Sequence, residues 1–171
     1  MSHLITFAIP LLVGNLLQQL YNMVDTWVLG QYVEGNAFSA VGAVGPVVNL
    51  LIGFFLGFSS GAGVVISQYY GAHKHEDVQK TMHTALCMTA VFAVLFTGLG
   101  IVMVPYMLRL MKIPREAFAD ASRYLTIYFS GITGLMFYNI GSGILRSVGD
   151  SIRPFVFLAV SAITNTVLDL V

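Results

Sequence analysis

Five apolar runs, each long enough to cross a bilayer, take up most of this chain and leave it few ways to fold. A hydrocarbon core of about 30 Å needs about 20 helical residues at about 1.5 Å per residue. The runs lie near 4–29, 39–69, 82–107, 119–145 and 154–171. Short polar connections join them: Glu34–Asn36, Gly71–Lys80, Arg109–Glu116 and Ser147–Arg153. The expected fold is all-α, a polytopic membrane protein of about five transmembrane helices. Composition agrees, since 57% of residues are hydrophobic and 9% charged, where a soluble domain carries about 25% charged residues. The second run is over-long and holds Gly42, Gly45, Pro46, Gly53, Gly57, Gly61 and Gly63, which predicts a kink or a tilt.

Several function classes find no footing. Eight basic and eight acidic residues cancel, so no net field draws nucleic acid to the chain. The single cysteine, Cys87, excludes an internal disulfide. The first run is too long for the apolar region of a cleavable signal. There is no nucleophile–base pairing, Walker loop or dinucleotide-binding glycine fingerprint, so neither an enzyme nor ATP-driven transport is expected, and no cofactor is. Orientation stays open. With an internal N-terminus, Lys74, Lys80, Arg146 and Arg153 fall inside and Arg109, Lys112, Arg115 and Arg123 outside, four against four.

Asp25 is the residue that asks for a function. It is the only charge in the run 4–29, and a carboxylate in a membrane span is costly. Asn15, Gln18, Asn22 and Asp25 follow i, i+3, i+7, i+10 spacing, which keeps them within roughly 80° of one helix face. No Lys or Arg lies within the membrane part of any run, so a salt-bridge partner is absent. Burial disfavours a carboxylate's charged form, which suits proton coupling. The same oxygens suit Na⁺, and the residues leave that choice open.

Asn165 and Asp169 form a second constellation, four residues apart and so on one helix face. Counted from Pro154, Asn165 sits about 16 Å and Asp169 about 22 Å along the fifth run, while Asp25 sits roughly 25–30 Å along the first. The first and fifth runs point the same way, so both acids fall in the same half of the bilayer and a shared pocket is expected. The alternative is that Asp169 closes its helix at the interface. Gly53-x3-Gly57-x3-Gly61 shares one face and reads as a helix-packing ridge, as do Gly131, Gly134, Gly141 and Gly143. His73 and His75, in a polar loop with Lys74, Glu76 and Asp77, and His83 beyond it offer no fixed ligand set, so no metal is expected there. Tyr138, Asn139 and Ser142 make a polar patch that either lines a cavity or serves interhelical hydrogen bonds.

Four stretches in this order carry a family resemblance. They are Asn22-Met-Val-Asp25-Thr26-Trp27 after a Pro10-containing first helix, Gly61–Ala72 (GAGVVISQYYGA), Gly143–Pro154 (GILRSVGDSIRP) and Asn165-x3-Asp169. Together they resemble the multidrug and toxic compound extrusion (MATE) family over nearly the whole chain. The resemblance implies a secondary antiporter of twelve helices in two six-helix lobes, which exports small organic cations in exchange for Na⁺ or H⁺. It implies that Asp25, Asn165 and Asp169 form the amino-lobe cation site; the polar residues Asn15, Gln18, Asn22, Tyr138 and Asn139 are expected to line the cavity. It also implies a multi-pass place in a bacterial inner membrane. Residues 1–171 would then be part of the amino-terminal lobe, without its sixth helix, and the other lobe would normally belong to the same chain. The fifth run is still apolar at Val171, which reads the same way. Two alternatives stand beside this. A lipid-linked oligosaccharide flippase of the wider superfamily would usually carry a more basic cavity, and the membrane part of the runs here holds no Lys or Arg. A chain complete at 171 residues would instead be a membrane fragment without transport activity.

Overall fold

The structure, a computed structural model, describes the backbone of residues 2–32 and 35–169 and the side chains of residues 7–20, 23, 24, 27 and 45–168. Among these residues there are five helices and no strand: α1 Ser2–Tyr32, α2 Gly35–Gly71, α3 His75–Leu110, α4 Arg115–Ser147 and α5 Ile152–Asp169. The fold is all-α, as expected. By length and hydropathy alone, Gly45–Gly71 and His75–Leu110 qualify as membrane spans, while the apolar runs Phe7–Leu20 and Ile152–Leu168 are shorter. The least apolar helix, α4, carries several hydroxyls. Thr126 and Ser130 donate back to the carbonyls of Ser122 and Thr126, each at 2.8 Å, which removes the cost of a bare hydroxyl in hydrocarbon.

The helices run past the apolar segments, so the true turns are shorter than the polar stretches. His75, Glu76 and Asp77 begin α3 rather than sitting in a loop, because acids in a first turn favour the positive end of the helix dipole. Three helices end in the same way. A residue in the left-handed region, His73 (φ 58), Lys112 (φ 54) or Gly149 (φ 91), follows α2, α3 and α4 respectively. The next amide then reaches back five residues: Lys74 N–H to Tyr69 O, Ile113 N–H to Leu108 O, Asp150 N–H to Leu145 O. This is the Schellman ending, which satisfies carbonyls that the helix leaves over. Glycine fits the position without strain, and of the three only Gly149 is one.

The chain forms two compact units, one of residues 1–33 with 145–171 and one of residues 34–144. In the second, α2, α3 and α4 enclose Leu51, Phe55, Ala93, Val104, Leu108, Leu125, Phe129, Ile132 and Met136. Phe54, Phe55, Phe58, Phe92 and Phe96 interlock α2 with α3, mostly edge to face. Of the glycines expected to pack, Gly143 does so and the others differ. A Cβ at Gly53, Gly57, Gly61, Gly131, Gly134 or Gly141 would meet nothing within 4 Å, so these positions are not helix contacts among the described residues. Close approach occurs at Gly100, where the Phe129 ring lies in the space a Cβ would take, its Cγ 2.7 Å away. It occurs again at Gly143, where a Cβ would collide with Ser59 Oγ and stand 3.2 Å from Ser59 O. Among the described residues the α2 glycines meet no neighbour, because spacing defines a face and not the neighbour that face meets.

The first unit is a helix pair. α1 packs on α5 at Gly14, where a Cβ would lie 3.5 Å from Leu158 and 3.6 Å from Phe155. Asp150 starts α5: its Oδ1 accepts from the amides of Ile152 and Arg153, both at 3.1 Å, and its Oδ2 pairs with Arg153 Nε at 3.2 Å. The stretch 143–154 is thus a helix stop and a helix start in immediate succession.

Candidate functional site

The Gly14–Leu158 contact sets the register of α1 against α5. In a chain that crosses the membrane five times, the first and fifth helices run in the same direction. Asp25 follows Gly14 by eleven residues, and Asp169 follows Leu158 by eleven. Eleven residues rise about 16 Å and turn to within about 20° of the starting face. Positions 25 and 169 therefore stand at matching height, on the faces along which the two helices meet. Asn165, seven residues after Leu158, shares that face one turn lower. The side chains of Asp25 and Asp169 lie outside the described residues, as does that of Asn22.

Asn165 is described, and its surroundings are unusual. Its neighbours Thr164 and Thr166 send their hydroxyls to Val160 O and Ala162 O at 2.8 and 2.9 Å, satisfied within their own helix. Asn165 Oδ1 is shut off from solvent and accepts no hydrogen bond among the described residues. A buried carbonyl left without a donor costs about 1–3 kcal/mol. It is also an unoccupied acceptor, the chemistry that a hard cation or a protonated carboxyl requires.

The remaining positions divide between the units. Asn15 and Gln18 are exposed on α1, turned about 100° and 40° from the Gly14 face. They lie beside the α1–α5 contact rather than in it. Tyr138 and Asn139 belong to α4 in the second unit, where Tyr138 is half-buried. The Asn139 amide donates to Leu135 O at 2.9 Å, and its backbone carbonyl accepts Ser59 Oγ at 2.7 Å. Ser142 is buried close by. Within that unit the interhelical reading of the patch describes Ser59 and Asn139. Among the described residues no three His, Cys, Asp or Glu side chains cluster. Sequence reasoning passed over Gly14 as a contact residue; its one signal was a glycine eleven residues before Asp25.

Comparison with known proteins places these features. The MatE family model matches residues 10–171. The chain is 32% identical over 162 residues to a probable multidrug resistance protein, YoeA, of Bacillus subtilis, with 95% of this chain and 35% of that protein covered. It is 29% identical over 173 residues to the probable multidrug resistance protein NorM of Thermotoga maritima, covering 98% and 36%. Its fold matches a crystal structure of MATE in complex with MaD3S with a TM-score of 0.93 at 26% identity, covering 98% of this chain and 37% of that one. The chain thus spans a little over a third of the length of the relatives it matches.

Proposed function

Since the chain belongs to the MatE family, whose members are integral membrane transporters, we propose that it forms part of the amino-terminal lobe of a secondary antiporter. That transporter exports organic cations or drugs in exchange for Na⁺ or H⁺, in a bacterial inner membrane. The observation that supports the reading is Asn165 Oδ1, which among the described residues is buried and accepts no hydrogen bond, on the α5 face that meets α1. The flippase reading has less support, since the curated relatives are probable multidrug resistance proteins.

In this mechanism Asp25, Asn165 and Asp169 take up the coupling ion or proton. Two carboxylates facing each other repel when both are charged. Neutralising them favours closer packing of α1 on α5. α1 is suited to respond near Pro10 and Gly14. Pro10 withholds an amide from the carbonyl one turn below it. At Gly14, one turn further along, even an added Cβ would meet Leu158 and Phe155 of α5 at ordinary van der Waals distance. A shift of α1 there would change the cavity that holds the cationic substrate, and the ion drives it by binding one arrangement more tightly. Asn15 and Gln18, exposed beside this contact, and Asn22 and Tyr138 are the residues we assign to the cavity wall; Asn139 is taken up by its bonds with Leu135 and Ser59.

The test is Asp25→Asn in the full-length transporter. Efflux of a fluorescent organic cation down an imposed Na⁺ or H⁺ gradient is expected to vanish, with membrane insertion and amount unchanged. Wild-type efflux in that variant would sink the proposal.

A further inference from the structure

A groove between α2 and α3 has no part in the coupling site. Its volume is about 460 Å³, and Gly57, Gly61, Phe58, Val65, Thr84 and Met88 are among its walls, with Lys80 at one end. We propose that this groove seats an acyl chain of an anionic phospholipid whose phosphate engages Lys80.

Length, charge and closure each favour that occupant. The lining runs from Gly57 to Val65 on α2 and from Lys80 to Met88 on α3, about 12 Å in each case. One leaflet's hydrocarbon is about 15 Å deep. The groove therefore suits a chain from a single leaflet and is too short for a transmembrane helix, which would need the full thickness. Beyond it the way is closed by aromatic rings: Phe58 meets Phe92 edge-on, 5.4 Å between centroids, and Phe54 and Phe96 continue the cluster. The open end lies toward the turn between α2 and α3, where the chain leaves the apolar region. Lys80 stands there with Lys74 and His83 near it in sequence. Lys80 pairs with Glu76 at 2.8 Å, but the two side chains are 69% and 82% exposed. Such a pair holds its partners weakly, so the ammonium remains available to a phosphate. The walls are ready for a chain, since a Cβ at Gly57 or Gly61 meets nothing within 4 Å.

The full-length transporter is reconstituted in nanodiscs with a phosphatidylglycerol that carries a photoactivatable group midway along one acyl chain. After irradiation, label is mapped to peptides of α2 and α3. Label is expected on the peptides that carry Gly57–Val65 and Met88, and at least fivefold less with a phosphatidylcholine probe. Gly61→Leu, which fills open space, is expected to remove most of it. Lys80→Gln leaves the groove intact and is expected to cut the phosphatidylglycerol signal about fivefold, one basic residue's share of the attraction to anionic lipid. Equal labelling by both lipids would overturn the proposal, as would full labelling in Lys80→Gln. So would an unlabelled groove, since another part of the transporter would then cover it.

Discussion

Replacing Asn165 with leucine would separate what this residue costs the fold from what it does for binding. Leucine has nearly the same shape, so the change deletes the amide without opening a cavity. Among the described residues the wild-type Oδ1 is buried and accepts no hydrogen bond. That state costs about 1–3 kcal/mol, which an apolar group of the same shape does not incur. Asn165→Leu should therefore unfold at a higher temperature than wild type in Na⁺-free, choline-based buffer. The ion-bound comparison should reverse. A ligand at one hundred times its Kd stabilises the native state by about 2.7 kcal/mol, and the variant should forgo most of that because an acceptor is gone. The assay is thermal unfolding of the detergent-solubilised full-length transporter, across a Na⁺ titration and at two pH values. The wild-type midpoint should climb with Na⁺ or with acidification, while the leucine variant starts higher and stays nearly flat. A variant less stable than wild type in the ion-free buffer would refute the reasoning, because Oδ1 would then have a donor.

Other positions carry predictions of their own. Gly100→Ala places a methyl inside the space of the Phe129 ring, which is only 2% exposed and cannot swing clear. It should cost about 1–3 kcal/mol, and adding Phe129→Leu should return part of the loss; strict additivity of the two changes in equilibrium unfolding would contradict the contact. Ser59→Ala removes the hydroxyl that ties α2 to Asn139 O and should cost about 1 kcal/mol. Lys112→Gly, at φ 54, should raise unfolding stability by about 1 kcal/mol by relieving a left-handed backbone. Asp150→Ala should lower it by about 1 kcal/mol through loss of the α5 cap.

The helices were legible because the membrane makes them so. An apolar run of bilayer length has one way to satisfy its backbone, and the length of the run then sets the length of the span. Where the runs gave out, the reading became less accurate. His75 to Asp77 are polar and short-range pattern treats them as a loop, yet they open α3 because acids suit a helix start. The glycines mark a deeper limit. Gly53, Gly57 and Gly61 have the spacing of a packing ridge and touch nothing among the described residues, while Gly100 and Gly143, which have no repeat partner in contact, carry the close approaches. Spacing is a property of one helix; packing belongs to two.

The proposed coupling residues sit between those cases. Asp25 could be singled out from sequence because a charge in hydrocarbon is expensive wherever it points. Pairing it with Asn165 and Asp169 needed a height along two helices, and counting from the ends of apolar runs leaves several ångströms of uncertainty in each. One contact removes that uncertainty. Gly14 against Leu158 serves as a common origin, and the two acids then stand the same eleven residues above it on the meeting faces. Gly14 is thereby more than a spacer. Gly14→Leu would push α5 away at the contact that sets this register, and should weaken the Na⁺- or pH-dependent rise in unfolding temperature while leaving both carboxylates in place. An unchanged rise in that variant would mean that the register is held elsewhere along α1 and α5.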